Sequence, residues 1–173
     1  MPVSVKGAVE LRKALRAYTP DLAKQMPKDI ATALKPVVKV ARGYVPDNGS
    51  ILSGWRTRDN YTGKFPMFDS RSVKSGISYK TTPSKPNSKG FRSLARLLNK
   101  TAAGAIYETM GRKSPTSRFV QNQKAKYASQ FNGKGKEQGT LLFRAYDENR
   151  GAAQSGVLKA IEKANSDFKK ATA

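Results

Sequence analysis

Histidine and cysteine are both absent from the 173 residues of this chain. That removes the commonest general base, the usual thiol and imidazole nucleophile pairings, and most zinc or iron ligand sets. Disulfides are excluded for the same reason. A metal would have to be held by oxygen alone. The 12 carboxylates are scattered, without the clustered Asp-x-Asp pattern that a calcium loop needs. Asp147 and Glu148 are the only adjacent acidic pair. Neighbours on a helix point roughly 100° apart, so they do not flank one bond; the pair reads as a solvated helix start near Arg150. Gly49 and Gly54 have the spacing of a phosphate-binding loop, but Trp55 stands where that loop needs lysine and no strand precedes them. Gly133-Lys134-Gly135-Lys136 reads as a flexible basic loop whose amides and charges can touch phosphate or carboxylate groups. No catalytic residue, cofactor or metal is expected, and the chain reads as a non-enzyme.

What remains is binding chemistry, and it is cationic. The chain holds 33 Lys and Arg against 12 Asp and Glu, a net charge of +21. Such an imbalance calls for counterions or an anionic partner: nucleic acid, an acidic protein surface or an anionic membrane. The charge is uneven. Residues 70–136 carry 15 basic residues and a single acidic one, Glu108, whereas the two ends hold nearly all the carboxylates. Aromatics are interleaved with this basic middle: Tyr79, Phe91, Tyr107, Phe119, Tyr127 and Phe131. Cations and aromatics together can neutralise phosphates and stack bases. The competing reading makes the aromatics core or subunit-interface anchors and the lysines a solvated surface. Strand-like placement favours the core for Tyr79 and Phe91. The candidate partner- or DNA-contacting residues are Lys85, Lys89, Arg112, Lys113, Arg118, Lys124, Lys126, Tyr127, Phe131, Lys134 and Lys136.

The elements that must position these groups follow from periodicity. Residues 5–18 predict a helix with Leu11, Ala14, Leu15 and Tyr18 on one face and Arg12, Lys13 and Arg16 outside it. Thr19-Pro20-Asp21 stops that helix and starts the next, with Thr19 as N-cap and Pro20 at the first helical position. The second helix spans residues 20–44. Its apolar face is Leu22, Met26, Ile30, Ala33, Val37, Ala41 and Tyr44, with a break expected near Pro27 and a kink near Pro36. Residues 45–49 are turn chemistry, and 51–69 are ambiguous. Over residues 70–82 the period becomes two, placing Val73, Ser75, Ile77 and Tyr79 on one side of a strand. Residues 82–90 lack apolar side chains and predict a mobile loop. Residues 91–99 read as a strand or a helical turn, and 101–110 as a strand or a short helix. Residues 111–139 are polar, basic and glycine-punctuated. A final helix over residues 151–170 sets Val157, Leu158, Ile161, Ala164 and Phe168 on one side.

Helices, then strands, then a helix predict an α+β fold: N-terminal helices and a long C-terminal helix packed on a small, mostly antiparallel sheet, with long basic loops. One domain is expected over residues 1–173. Within it, residues 1–45 form the N-terminal helices, 70–111 the sheet region, 112–139 a basic insertion and 140–173 the C-terminal segment. No run of 18 apolar residues occurs, so no membrane span is expected, and the N-terminus does not read as a secretory signal.

Several segments, taken in order, resemble the neck or tail-completion proteins that join head to tail in long-tailed phages. The opening Val5-Lys6-Gly7 through Glu10-Leu11-Arg12-Lys13-Ala14-Leu15 is similar to the start of that family. So is the helix carrying Leu34-Lys35-Pro36-Val37-Val38 and Ala41-Arg42 and closed by Pro46. Asn48-Gly49-Ser50-Ile51-Leu52-Ser53-Gly54-Trp55 occupies the family's glycine-containing turn. Ala102-Ala103-Gly104-Ala105-Ile106-Tyr107-Glu108, with Gly111, resembles its strand ending in an acidic residue. Leu142-Phe143-Arg144-Ala145-Tyr146 and Val157-Leu158-Lys159-Ala160-Ile161 resemble its closing segment and last helix. The style of the sequence looks like phages of actinobacteria. The resemblance implies a structural virion protein at the head-to-tail junction, assembled in the host cytoplasm and of the neck, tail-completion or tail-terminator kind. It implies a ring, commonly six-fold, around the DNA channel. The partners would be other copies of the chain, neighbouring connector, stopper or tail-tube proteins, and the packaged DNA in the channel, with no membrane and no small-molecule substrate. The other reading left open by charge and aromatics is a non-catalytic basic nucleic-acid-binding protein.

Overall fold

The structure, a computed structural model, describes residues 7–47, 66–109 and 139–172. Helices α1 (Ala8–Tyr18) and α2 (Pro20–Gly43) are followed by a short helix α3 (Ser70–Gly76). Strands β1 (Ile77–Lys80) and β2 (Arg96–Asn99) pair as a two-stranded antiparallel sheet. Helix α4 (Ala102–Thr109) and the long helix α5 (Leu142–Thr172) complete the described elements. The α+β class expected from the sequence is the class observed. Among the described residues no helix is long and apolar enough to cross a membrane.

The described chain divides into two compact units. The first contains α1, α2 up to Pro36, residues Tyr79–Arg96 and α5 from Arg150. Leu15, Met26 and Ile30 are buried there, with Ala153, Ala160 and Ala164 of α5. Helices α2 and α5 approach closely: a Cβ placed on Gly156 would lie 2.7 Å from the Ala33 Cβ. The second unit contains α2 from Val37, α3, α4 and α5 up to Asn149. Its core includes Val37, Ala41, Phe68, Val73, Ile77, Tyr107 and Leu141. The Phe68 and Tyr107 rings meet tilted, 5.9 Å between centroids, and α3 packs on α4.

Several expectations are corrected. Residues 70–76 form a helix, and only Ile77–Lys80 is strand. Asp69 caps that helix by accepting a hydrogen bond from Ser72 N at 2.8 Å. Val73 and Ile77 are both fully buried; their four-residue spacing suits a helical turn as well as a strand. The segment 102–108, matched to a family strand, is also helical. The break near Pro27 is absent, and α2 runs through both Pro27 and Pro36. Each interior proline costs about 3 kcal/mol. Burial of Met26, Ile30, Leu34 and Val37 contributes about 1.5–3 kcal/mol per side chain, so the helix is retained. Pro20 does open α2, but the Thr19 hydroxyl donates back to Leu15 O at 3.4 Å rather than capping. The buried face of α2 is Ala23, Met26, Ile30, Leu34, Val37, Val38 and Ala41, so Leu34 joins the expected face, while Ala33 is half-buried and packs at Gly156 of α5. Helix α5 starts at Leu142, nine residues ahead of the expected start.

Candidate functional site

Lys85 and Lys89 are the two sequence-predicted contact residues that the described chain contains, and both lie at the tip of the hairpin between β1 and β2. Arg112, Lys113, Arg118, Lys124, Lys126, Tyr127, Phe131, Lys134 and Lys136 lie outside the described residues.

The tip is built by turn chemistry. Gly90 N donates to Asn87 O and Asn87 N to Phe91 O, both at 2.9 Å. Gly90 sits at φ +73°, the left-handed position that closes a three-residue hairpin loop and favours glycine. The Asn87 carboxamide oxygen accepts from Lys89 N at 3.0 Å and Phe91 N at 2.8 Å. Lower down, Ser84 N donates to Ser93 O at 2.9 Å, and Ser93 N returns a bond to the Ser84 hydroxyl oxygen at 2.9 Å. Between these two rungs Lys85 and Pro86 stand opposite the single residue Arg92, the count of a β-bulge. The segment expected to be a loop contains no strand, and these hydrogen bonds tie its two arms into a ribbon.

Residues 85–93 are all exposed. Phe91, expected in the core, is 54% exposed; Tyr79 is half-buried and Tyr107 fully buried. Lys80, Lys85, Lys89 and Arg92 have no ion-pair partner among the described residues. No acidic residue occurs between Asp69 and Glu108, so the ribbon carries cations only.

The base of the ribbon is held by Arg12. The sequence places Arg12 outside the apolar face of α1, but it is buried while Tyr18 is 73% exposed. Its Nη1 donates to Thr81 O, the first residue after β1. Burial, and secondarily the nearby Arg16 charge, hold the Arg12 guanidinium below its ordinary pKa. Its Nε is buried without a partner. Sequence reasoning missed Arg12 and Arg92 and assigned the exposed Phe91 to the core. The spacing of Asn87 and Gly90 was the available signal, since it marks a hairpin tip and places the residues around it in solvent.

Two further polar clusters lie in the second unit. Glu108, the one acidic residue of the basic middle, is buried. Its Oε2 accepts from Leu141 N at 2.8 Å and Leu142 N at 2.9 Å, and its Oε1 from Phe143 N at 2.8 Å. The Thr140 hydroxyl donates to Tyr107 O at 2.8 Å. The carboxylate satisfies free amides at the start of α5. Separately, the Tyr44 hydroxyl donates to Glu148 Oε2, and Arg144 Nε donates to Glu148 Oε1 at 3.0 Å. The Arg144 guanidinium lies 4.0 Å from the Tyr44 ring centroid. The Tyr44 hydrogen bond, with help from Arg144, holds the Glu148 carboxyl below its ordinary pKa. Burial, then the bond to Glu148, raises that of Tyr44. Glu148 thus sits within α5, bonded to Arg144 and Tyr44, rather than at a solvated helix start near Arg150. Among the described residues no three acidic side chains gather in a metal-holding group. Of these clusters only the ribbon presents unpaired charge to solvent.

No protein-family model, no curated protein and no solved structure matches this chain.

Proposed function

We propose that this chain is a non-enzymatic structural protein of the head-to-tail junction of a long-tailed phage, binding by shape and charge in the virion. It joins a ring of its own copies and meets neighbouring connector, stopper or tail-tube proteins. The observation that carries the reading is the ribbon of residues 85–93. It is exposed, held at its base by Arg12, and cationic without a compensating carboxylate among the described residues. Such a projection repels copies of itself and attracts an anionic neighbour. The family resemblance of the sequence supplies the setting. A six-membered ring would carry six times the +21 of one chain, so its basic segments must face DNA or acidic neighbouring rings.

The test mixes purified protein with separated phage heads and tails, with size and docking read by light scattering and negative-stain microscopy. Discrete rings, or monomers that dock at one end of heads or tails, are expected. Docking weakens as salt rises, because exposed charges are screened beyond about 8–10 Å. Alanine at Lys124, Lys126, Lys134 and Lys136 together weakens the salt-dependent step. A monomer that never docks, or turnover of a small molecule by the pure protein, would overturn the reading.

A further inference from the structure

The cations of the hairpin are arranged in register as well as crowded. Lys100 N donates to Gly76 O just below the paired strands. Continuing that register through β1 and β2 sets Lys80 opposite Arg96. Nearer the tip, Lys85 and Pro86 stand opposite Arg92 between the hydrogen-bonded rungs, and Lys89 lies in the turn. Like charges directly opposite each other destabilise a strand pair. Nothing among the described residues neutralises Lys80, Lys85, Lys89 or Arg92. The two charged levels lie four or five residues apart, at most roughly 15 Å at about 3.3 Å per residue. That exceeds the screening length of about 8 Å at physiological ionic strength, so one small anion cannot serve both levels. An extended polyanion can.

We propose that the hairpin of residues 80–96 is a DNA-contacting finger that enters the major groove of duplex DNA as a two-stranded ribbon, with Lys85, Lys89 and Arg92 on the flanking phosphates and Phe91 against base edges. Shape and chemistry both choose DNA over an acidic protein. The major groove admits a two-stranded β-ribbon, and residues 85–93, the hydrogen-bonded hairpin loop beyond the paired strands, are all exposed. Phe91, between Gly90 and Arg92, offers an exposed ring suited to apolar contact with thymine methyl groups. Phosphate contacts supply the affinity and carry no sequence information. Arg12 is a positioning residue that fixes the finger's base at Thr81.

This inference rests on the junction reading only for its setting, and its test is independent of docking. Binding of the full chain to a labelled 20-base-pair duplex of mixed sequence is followed by fluorescence anisotropy between 0.05 and 0.2 M salt, on the order of the range where counterion release is read. Each phosphate contact contributes about 0.9 to the slope of log affinity against log salt. The triple variant Lys85→Ala, Lys89→Ala, Arg92→Ala should therefore lower the slope by about 3 units. Over that range wild type then loses about 40-fold more affinity than the variant does. Phe91→Ala should weaken binding several-fold at every salt with the slope unchanged. A control removes the same charge from exposed positions of α2, Lys28→Ala, Lys35→Ala and Lys39→Ala, and should keep the wild-type slope. All substituted side chains are exposed, and thermal unfolding checks that each variant is folded. The proposal is overturned if wild type does not bind the duplex, if the α2 control matches the triple variant, or if poly-glutamate of equal charge competes as well as DNA does. Absent DNA binding with docking intact sinks this inference alone; DNA binding without docking sinks the junction reading alone.

Discussion

Replacing Glu108 tests how the start of α5 is held. Its carboxylate accepts three backbone N–H groups at 2.8–2.9 Å. These are orphan amides of a helix N-terminus, where a negative charge also meets the positive end of the helix dipole. Hydrogen bonds to a charged group contribute about 1.5–3 kcal/mol each, and a buried donor left without an acceptor costs about 1–3 kcal/mol. In Glu108→Ala the Leu141 amide remains buried, while those of Leu142 and Phe143 are partly reached by water. The three losses are therefore not additive, and the total is about 4 kcal/mol. A protein of this size loses roughly 2–4 °C of Tm per kcal/mol, so Tm falls by about 8–16 °C. Glu108→Gln keeps the shape but has one acceptor oxygen. Placing it where Oε2 stands retains the bonds to Leu141 and Leu142 and turns an NH2 toward the Phe143 N–H, for about 2 kcal/mol. Thermal and urea unfolding give the ranking, and amide exchange gives the location. The expected signature is faster exchange at residues 141–143, with alanine worse than glutamine. Equal stabilities for the two variants, or unchanged exchange at those amides, would refute the reasoning.

Glycine replacements on α5 should have opposite signs. A Cβ at Gly151 meets nothing within 4 Å, so Gly151→Ala should stabilise by roughly 0.5–1 kcal/mol. Gly156→Ala presses on the Ala33 Cβ at 2.7 Å, and an overpacking cost of about 1–3 kcal/mol exceeds the propensity gain; urea midpoints decide. Arg12→Met loses the bond to Thr81 O but also removes a buried cation. These offset, so unfolding free energy should change by less than about 1 kcal/mol while amides at the hairpin base exchange faster; a loss above about 3 kcal/mol contradicts this. The Glu148 carboxyl is held low by Tyr44 and Arg144. Its contribution to stability is present above the unfolded-state pKa and is lost as pH falls through the folded one. It is small, because the side chain is 35% exposed. In Tyr44→Phe, carboxyl titration by NMR should return Glu148 toward its ordinary value; no movement would show that the hydrogen bond is not the main cause.

A positioned carboxylate and a positioned guanidinium thus hold two different parts of the molecule. Glu108 fixes where α5 begins, and Arg12 fixes where the hairpin leaves β1. Neither group is read from its own neighbourhood in the chain. Their partners lie 33 and 69 residues away, and no local period reports a contact at that distance.

Local signals were enough for much of the architecture. Pro20 opens α2 because its fixed φ suits the first turn. The apolar stripes of α1, α2 and α5 repeat often enough to exclude a strand. The cationic middle is a matter of counting, and the turn residues before Gly90 place Lys85 and Lys89 in a loop. Tertiary structure decided the rest. Val73 and Ile77 satisfy a two-residue and a helical period equally, so only their packing and the Asp69 cap made residues 70–76 helical. Arg12 went inward, against its polarity, where its guanidinium meets the Thr81 carbonyl, while Tyr18 lies outward beside the Phe168 ring. Phe91 stayed in water because the turn closed at Gly90 before the strand could carry it to the core. Short segments and single side chains are governed by distant partners, whereas long helices carry their own repeated evidence of which face is buried.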